Sequence, residues 1–358
     1  MARDDPRLHA SAPTLEIHGQ SYPLLARNLE SMSMREALGG LSSLELTFAD
    51  ALGNGRFAAS GDSPLRLGNG VRVFAGAASE NASEIFDGQI TAVEGEYTTD
   101  ERPPLFTILA EDRLFAARRR RRSKLFEETS LGDLVSEVAQ EYGLQPEIRA
   151  GVDETVRDWL QTDETDLAFL RRVLGRFDCD LQVVGDRLQV GRVGMDQRSL
   201  VPLMAGETLI SARVTADLAD QVSSISLASF DPATGEDVSS EEDSVGFGPG
   251  QGVSAADILT DRMSPVLMHS GRRGPLSDPD AATLAELAGQ CSARSFVRID
   301  GTAQGNANLR VGSWIELAGV NPMFENRYAV REAIHHWSRE EGYLTDFIAE
   351  CAYLKEGI

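Results

Sequence analysis

Trp159-Leu160-Gln161-Thr162-Asp163-Glu164-Thr165-Asp166-Leu167-Ala168-Phe169-Leu170-Arg171-Arg172 is the stretch on which the reading of this chain turns. Its second half begins a helix that the spacing predicts from about Thr165 to Phe177. Leu167, Leu170 and Leu174 form one apolar stripe; Phe169, Val173 and Phe177 form another. Two stripes make a surface too broad for one contact, so the helix is expected to be buried on more than one side. Asp163 and Asp166 fall near its N-terminus, where unpaired N–H groups and the helix dipole favour negative charge. Trp159 and the apolar positions pack the helix against a sheet, and Arg171 and Arg172 are expected to pair with those acids or with a neighbouring subunit. Nothing in the stretch requires catalysis.

Outward from it, the pattern is that of a small α+β unit. Ser130 followed by Asp133 resembles a capping box, and Leu131, Leu134, Val135, Val138 and Ala139 recur at helical spacing up to a stop at Tyr142-Gly143. Downstream, Leu181 to Val184 and Leu188 to Val190 flank a Gly185-Asp186 hairpin turn. Upstream stand five consecutive arginines, Arg118, Arg119, Arg120, Arg121 and Arg122. They could grip nucleic acid, or bind the chain's own acids or another protein component; a lone cluster in so acidic a chain favours the protein contact.

The flanks read as strands. Leu44, Leu46 and Phe48 alternate with polar residues, as do Val71 and Val73, Ile90 and Ala92, and Phe106, Ile108 and Ala110. Turn clusters such as Leu52-Gly53-Asn54-Gly55 and Leu67-Gly68-Asn69-Gly70 separate them. Strand character returns after about 207, with Ile225 and Leu227, Val297 and Ile299, Ile315 and Leu317, Tyr328 and Val330, and Tyr343, Thr345 and Phe347. Residues 231–277 are rich in Gly, Ser, Asp, Glu and Pro and read as a long surface loop or docking arm; a short helix follows from Asp280 to Ser292. Val73-Phe74-Ala75-Gly76 resembles Glu316-Leu317-Ala318-Gly319, and each precedes a loop and two further strands. This order implies duplication. The expected fold is mainly β with an α+β insert: two similar tube-like β-barrel domains plus a small α+β domain, able to form a ring. The expected boundaries are 14–117 for the first barrel, 118–195 for the insert, 196–230 with 294–354 for the second barrel, and 231–293 for the loop and helix excursion.

Composition narrows the function. With 56 acids against 34 bases the formal charge is -22, the opposite of a general nucleic-acid binder. Met1 to Ala10 has no apolar core of a signal peptide, and no run approaches the length of a membrane helix. Cys179, Cys291 and Cys351 are odd in number and far apart, which favours reduced thiols in a cytoplasmic setting. His335-His336 point to opposite faces of a strand and are poorly placed to share an ion. No Gly-x-Ser-x-Gly elbow or P-loop is present; Gly246-Phe247-Gly248-Pro249-Gly250 lacks the lysine of a phosphate loop. The chain reads as a non-enzyme without cofactor or metal.

The stretch from Trp159 to Arg172 resembles the signature of the contractile-tail baseplate hub family: phage late control D proteins, VgrG proteins and the hubs of extracellular contractile injection systems. Lys124-Leu125-Phe126 and Ser130 to Leu144 resemble the family's preceding helix. Leu309-Arg310-Val311-Gly312-Ser313 and Phe324-Glu325-Asn326-Arg327-Tyr328-Ala329-Val330, followed by His335, resemble its second barrel. Asn326 stands where the family has glycine, and asparagine tolerates the left-handed conformation such a turn would need.

The resemblance implies a structural baseplate hub: a homotrimeric, pseudo-sixfold adaptor joining the sixfold inner tube to the threefold central spike. Its family-motif residues would be Trp159, Gln161, Glu164, Thr165, Asp166, Phe169, Leu170 and Arg171, with Arg118 to Arg122 as candidate interface residues. The implied partners are two further copies, inner tube proteins, baseplate wedge components, effector cargo and a spike. The spike is expected to be a separate polypeptide, since only Leu354 to Ile358 follow the last strand. Such a protein is cytoplasmic during assembly, enters a phage tail or a released or anchored injection particle, and does not insert into a membrane. A tail-associated cell-wall hydrolase and an effector-loading adaptor are the alternatives. Acidic side chains lining the lumen of such a ring would repel acidic cargo or DNA.

Overall fold

The structure, a computed structural model, describes residues 12–49, 63–75, 83–97, 104–195, 198–231, 234–270 and 277–355. The turn cluster at Leu52 to Gly55, and Gly76, lie outside the described residues. The first part of the chain supplies β1 (Thr14–Ile17), β2 (Leu29–Ala37), β3 (Ser43–Ala49), β4 (Gly70–Ala75), β5 (Ser83–Glu96) and β6 (Leu105–Asp112). The middle supplies β7 (Arg121–Thr129), α1 (Leu131–Glu141), β8 (Gln145–Ile148), β9 (Arg157–Thr165), α2 (Asp166–Arg176), β10 (Cys179–Val184) and β11 (Arg187–Arg192). The rest supplies β12 (Leu200–Met204), β13 (Leu209–Ala216), β14 (Ser224–Asp231), β15 (Glu236–Asp243), α3 (Ala255–Arg262), β16 (Leu267–Ser270), α4 (Asp278–Arg294), β17 (Val297–Gln304), β18 (Trp314–Ala318), β19 (Arg327–Ser338) and β20 (Gly342–Cys351). The chain is mainly β with an α+β insert.

Alternation decides which face of each strand is inside. Leu44, Leu46 and Phe48 of β3 are buried while Ser43 and Glu45, which alternate with them, are exposed. Removing such a side chain from water stabilises the fold by about 1.5–3 kcal/mol. One core gathers Leu15, Ile17, Met32, Met34 and Ile108 of the first half. A second gathers Val297, Ile299, Tyr328, Phe347 and Ala349.

The two halves repeat one plan. The first orders its strands β2-β3-β6-β5-β4-β1 and the second β13-β17-β20-β19-β18-β12. Corresponding ladders even slip at corresponding places. The β2–β3 ladder shifts between Leu29 and Ser31, and β13–β17 between Leu209 and Ser211. The β5–β6 ladder shifts between Ile90 and Ala92, and β19–β20 between Val330 and Glu332. A bulge re-aims a strand by one residue, so sharing two of them is a demanding coincidence for unrelated sheets. The turns agree as well: Gly68 and Gly312 both take positive φ, and their N–H groups donate to Ile90 and Val330. Leu65-Arg66-Leu67-Gly68 thus matches Leu309-Arg310-Val311-Gly312. Val73 corresponds to Leu317, one residue away from the alignment the strand sequences suggest. One difference remains: β1 is antiparallel to β4, whereas β12 is parallel to β18.

Among the described residues, neither half closes on itself by strand pairing. Instead β19 reaches beyond β18 and pairs with β2, so both halves join one 13-stranded sheet.

The excursion corrects the sequence reading. The described residues of 231–277 are not a plain surface loop: β15 and β16 flank β14 in a three-stranded sheet, and α4 packs on β14 and β15. β14 itself, expected in the second barrel, belongs to this sheet. Leu227, Val238, Ala281 and Leu284 share one core with the insert's Leu134, Phe169 and Leu170.

Candidate functional site

The strand β9 delivers the motif and α2 continues it. Thr165 caps α2, its side chain accepting from the Ala168 N–H at 3.2 Å. Asp166, the first helical residue, is fully buried and accepts from Arg122 at 2.7 Å, from Gln161 at 2.9 Å and from the Tyr142 hydroxyl. Burial first, and then the Asp166 carboxylate, push the Tyr142 phenol well above its usual range. Gln161 also donates to the Glu164 carbonyl at 3.0 Å. Trp159 donates to the Thr129 carbonyl at 2.8 Å and meets Phe177 edge-on at 6.1 Å. Phe169 stacks on Phe126 at 5.4 Å, and Leu170 is fully buried. Glu164 pairs with Arg172 at 2.5 Å, so Arg172 does not reach Asp163 or Asp166. Arg171 reaches neither acid: it donates to the Gly39 and Gly40 carbonyls at 2.6 and 2.8 Å, tying the insert to the turn after β2. The arrangement is a polar clasp around a helix start.

The arginine run divides its contacts. Arg118 pairs with Glu111 at 2.6 Å, and Arg118 and Arg119 both lie over the Phe115 ring. Arg121 reaches Asp163, and Arg122 bridges Asp166 and Glu141, each at 2.7 Å. Arg120 is exposed. Consecutive residues diverge because Arg119 ends a short helix and Arg121 starts β7.

A polar cluster at the junction of the two halves is invisible to local sequence reading. Glu36 of β2 is buried; Arg310 donates to it at 2.5 Å and the Val311 N–H at 2.6 Å. Burial alone would raise its carboxyl, but Arg310 and Arg198 outweigh that and hold it at about 2. His335 lies beside this pair with no solvent exposure, its Nδ1 at 2.7 Å from the Tyr343 hydroxyl. Burial and the Arg310 charge lower it to about 3. His336 faces the other side of β19, 3.4 Å from Asp346. Among the described residues no group of three or more His, Cys, Asp or Glu could hold a metal. No helix there is long and apolar enough to cross a membrane.

Asn326 corrects another expectation. It is not left-handed. Its side chain instead accepts from the Gln251 N–H at 3.0 Å and donates to the Gln251 carbonyl at 2.9 Å and to the Tyr353 carbonyl at 3.3 Å. The residue is a tether between segments, a role glycine could not fill.

The face of the large sheet opposite the cores is continuous across both halves. Cross-strand pairs run from Arg213 through Asp300, Ile348 and Glu332. They also run from Asp346 through Ile334, Arg35 and Ser43 to Glu111. Glu45 and Glu94 lie on it too, exposed. Acids on this face outnumber the arginines Arg35, Arg213 and Arg298.

The family model described as the Alg8 N-terminal domain matches residues 12–339. No curated protein sequence matches. Among solved structures, the 43 kDa tail protein of prophage MuSo2 from Shewanella oneidensis superposes with a TM-score of 0.69 at 12% identity, covering 95% of this chain and 98% of that one. A tail protein from Neisseria meningitidis gives 0.65 at 11% identity, covering 95% and 96%. An E. coli component of the type VI secretion system, itself similar to two T4 bacteriophage tail proteins, gives 0.62 at 12% identity, covering 96% and 79%. The fold is therefore that of tail proteins over nearly the whole described chain.

Proposed function

The chain belongs to the Alg8 N-terminal domain family, and on that premise we propose that it is the structural hub of a contractile tail or tail-like injection particle, three copies forming a ring between the sixfold inner tube and the threefold spike. The observation that carries this is the duplication: two β units with one strand order and two shared bulges in each chain. Three such chains place six similar units around an axis, so one side can meet a sixfold tube and the other a threefold spike. Contacts between unlike units are heterologous and close into a ring. The fold shared with tail proteins and a type VI component supports the same reading.

Within this reading the exposed sheet face, with Glu45, Glu94, Glu332, Asp300 and Asp346, lines the channel and repels acidic cargo or DNA. Arg120, exposed beside the internally paired Arg118, Arg121 and Arg122, is the residue of the run best placed to meet a wedge component or another partner. The motif from Trp159 to Arg171 holds the insert on the first unit. The division into 14–117, 118–195 and 196–354 follows, with the β14–β16 sheet and α4 forming an accessory layer on the insert and α3 packing on the second unit. Light scattering of the full chain, alone and with tube and spike proteins, tests the proposal. A trimer is the expected mass, and a strictly monomeric chain under every condition would sink it.

A further inference from the structure

The repeat lets one half of the chain act as a template for the other. Inside one chain the end of β19 pairs with β2, from Glu332 opposite Ala37 to Ser338 opposite Ser31. The shared bulge after Ile90 and Val330 sets Ala92 to Tyr97 in the place of Glu332 to Trp337. The shared bulge after Leu29 and Leu209 sets Ser211 to Ala216 in the place of Ser31 to Glu36. The end of β5 and the outer edge of β13 are thus the counterparts of two strands that meet. Neither edge has a strand partner among the described residues.

Exposure marks the same two edges independently. Val311, Ala333 and Trp337, at the junction inside the chain, are 0%, 0% and 5% exposed. Their counterparts Leu67, Val93 and Tyr97 are 61%, 40% and 72% exposed. On the other side, Met32 and Met34 are buried, whereas their counterparts Ala212 and Val214 are exposed and half-buried. Unit for unit, apolar positions covered at the internal junction are bare at these edges.

We propose that the end of β5 pairs antiparallel with β13 of a second copy, Val93 opposite Ala216 and Glu96 opposite Arg213, with Leu67 and Tyr97 covered by that copy. The inference rests on the hub reading and names its subunit interface. Transferring the internal register fixes the pairs. It also sets an exposed glutamate against an exposed arginine, which the template did not have to do. The seam differs from its template in one respect. Arg66 stands in the place of Arg310, but Ala216 stands in the place of Glu36, so no buried ion pair locks it. A strand ladder, an apolar cover and a surface charge pair hold the copies together.

Directly opposed residues of an antiparallel ladder alternate between two Cα spacings, both within disulfide reach. Full-length chains with Cys291→Ser, carrying either Glu96→Cys or Arg213→Cys, are mixed and oxidised. Glu94→Cys with Thr215→Cys samples the neighbouring spacing. The expected result is covalent dimer from each mixture and none from either chain alone. One chain carrying both Glu96→Cys and Arg213→Cys should give covalent trimer. If the mass is trimeric but neither mixture cross-links, the seam is wrong while the hub reading stands. If the chain stays monomeric even with tube and spike proteins, both fail. Exchange of charge gives a second arm: Glu96→Arg should weaken the trimer and Glu96→Arg with Arg213→Glu restore it; no difference among the three overturns the register.

Discussion

Glu36 and Arg310 lie 2.5 Å apart at the junction of the two β units, their side chains 1% and 14% exposed. The pair joins residues that the chain separates by most of its length. Removing one partner leaves the other charge mostly buried and without its counter-ion, at a cost of about 3–5 kcal/mol. Glu36→Ala should therefore lower stability by that order in urea unfolding, and Glu36→Met with Arg310→Met should recover much of it. If Glu36→Ala unfolds at the wild-type midpoint, the two halves are not held together here.

His335 makes the same junction sensitive to acid. Its folded pKa is lowered to about 3 from 6.5, chiefly by burial, so the unfolded chain binds a proton that the folded chain refuses. Its contribution to stability is whole above pH 6.5 and is lost as pH falls toward 3. Glu36, held at about 2 from 4.5, adds a loss below pH 4.5. Asp112 acts oppositely: burial raises it to about 6, so its contribution grows as pH falls from 6 toward 3.8. Comparing wild type with His335→Gln isolates the histidine. Between pH 7 and 5 the wild type should lose up to about 1.4 kcal/mol per pH unit more than the variant. Equal slopes would exclude a histidine kept neutral.

The parts of the fold that were legible in the sequence are those whose causes are local. Ser130 and Thr165 each cap a helix, and the stripes of α2 repeat every three or four residues, so the α+β insert could be placed. The duplication was legible in order, though one residue out of register, because the correspondence of β4 with β18 is set by their pairing with β5 and β19, which the strand sequences do not carry. β15 was illegible: of Glu236 to Asp243 only Val238 is buried, and its strand state comes from pairing with β14. The Glu36–Arg310 pair gave no signal, since two charged residues so far apart look like surface charge until the sheet joins them.

Asn326 separates two ideas about its turn. Were a left-handed backbone needed, Asn326→Gly would be harmless or stabilising. The side chain instead ties Gln251 and Tyr353 together. Losing those bonds should cost about 1–3 kcal/mol. It should also speed hydrogen exchange at the Gln251 amide, the group Asn326 Oδ1 accepts from. Unchanged stability and exchange would return the residue to the role of a glycine substitute.

The motif predicts a pattern across three substitutions. Trp159→Ala and Leu170→Ala empty buried space in the insert's core and should each cost about 2–5 kcal/mol. Arg171→Ala removes no core volume; it cuts the two bonds to the Gly39 and Gly40 carbonyls. Its effect should fall on the attachment of the insert. Limited proteolysis in the segments around Gly39 and Asp178 should accelerate, while the global unfolding midpoint moves less than for the core variants. The excursion shares the insert's core through Leu227 and Leu284, so loss of Leu170 should also loosen α4. Exchange measured along α4 checks this: protection lost in α4 for Leu170→Ala but kept for Arg171→Ala separates core from clasp. The same protection in both variants would mean that insert and excursion do not share a core.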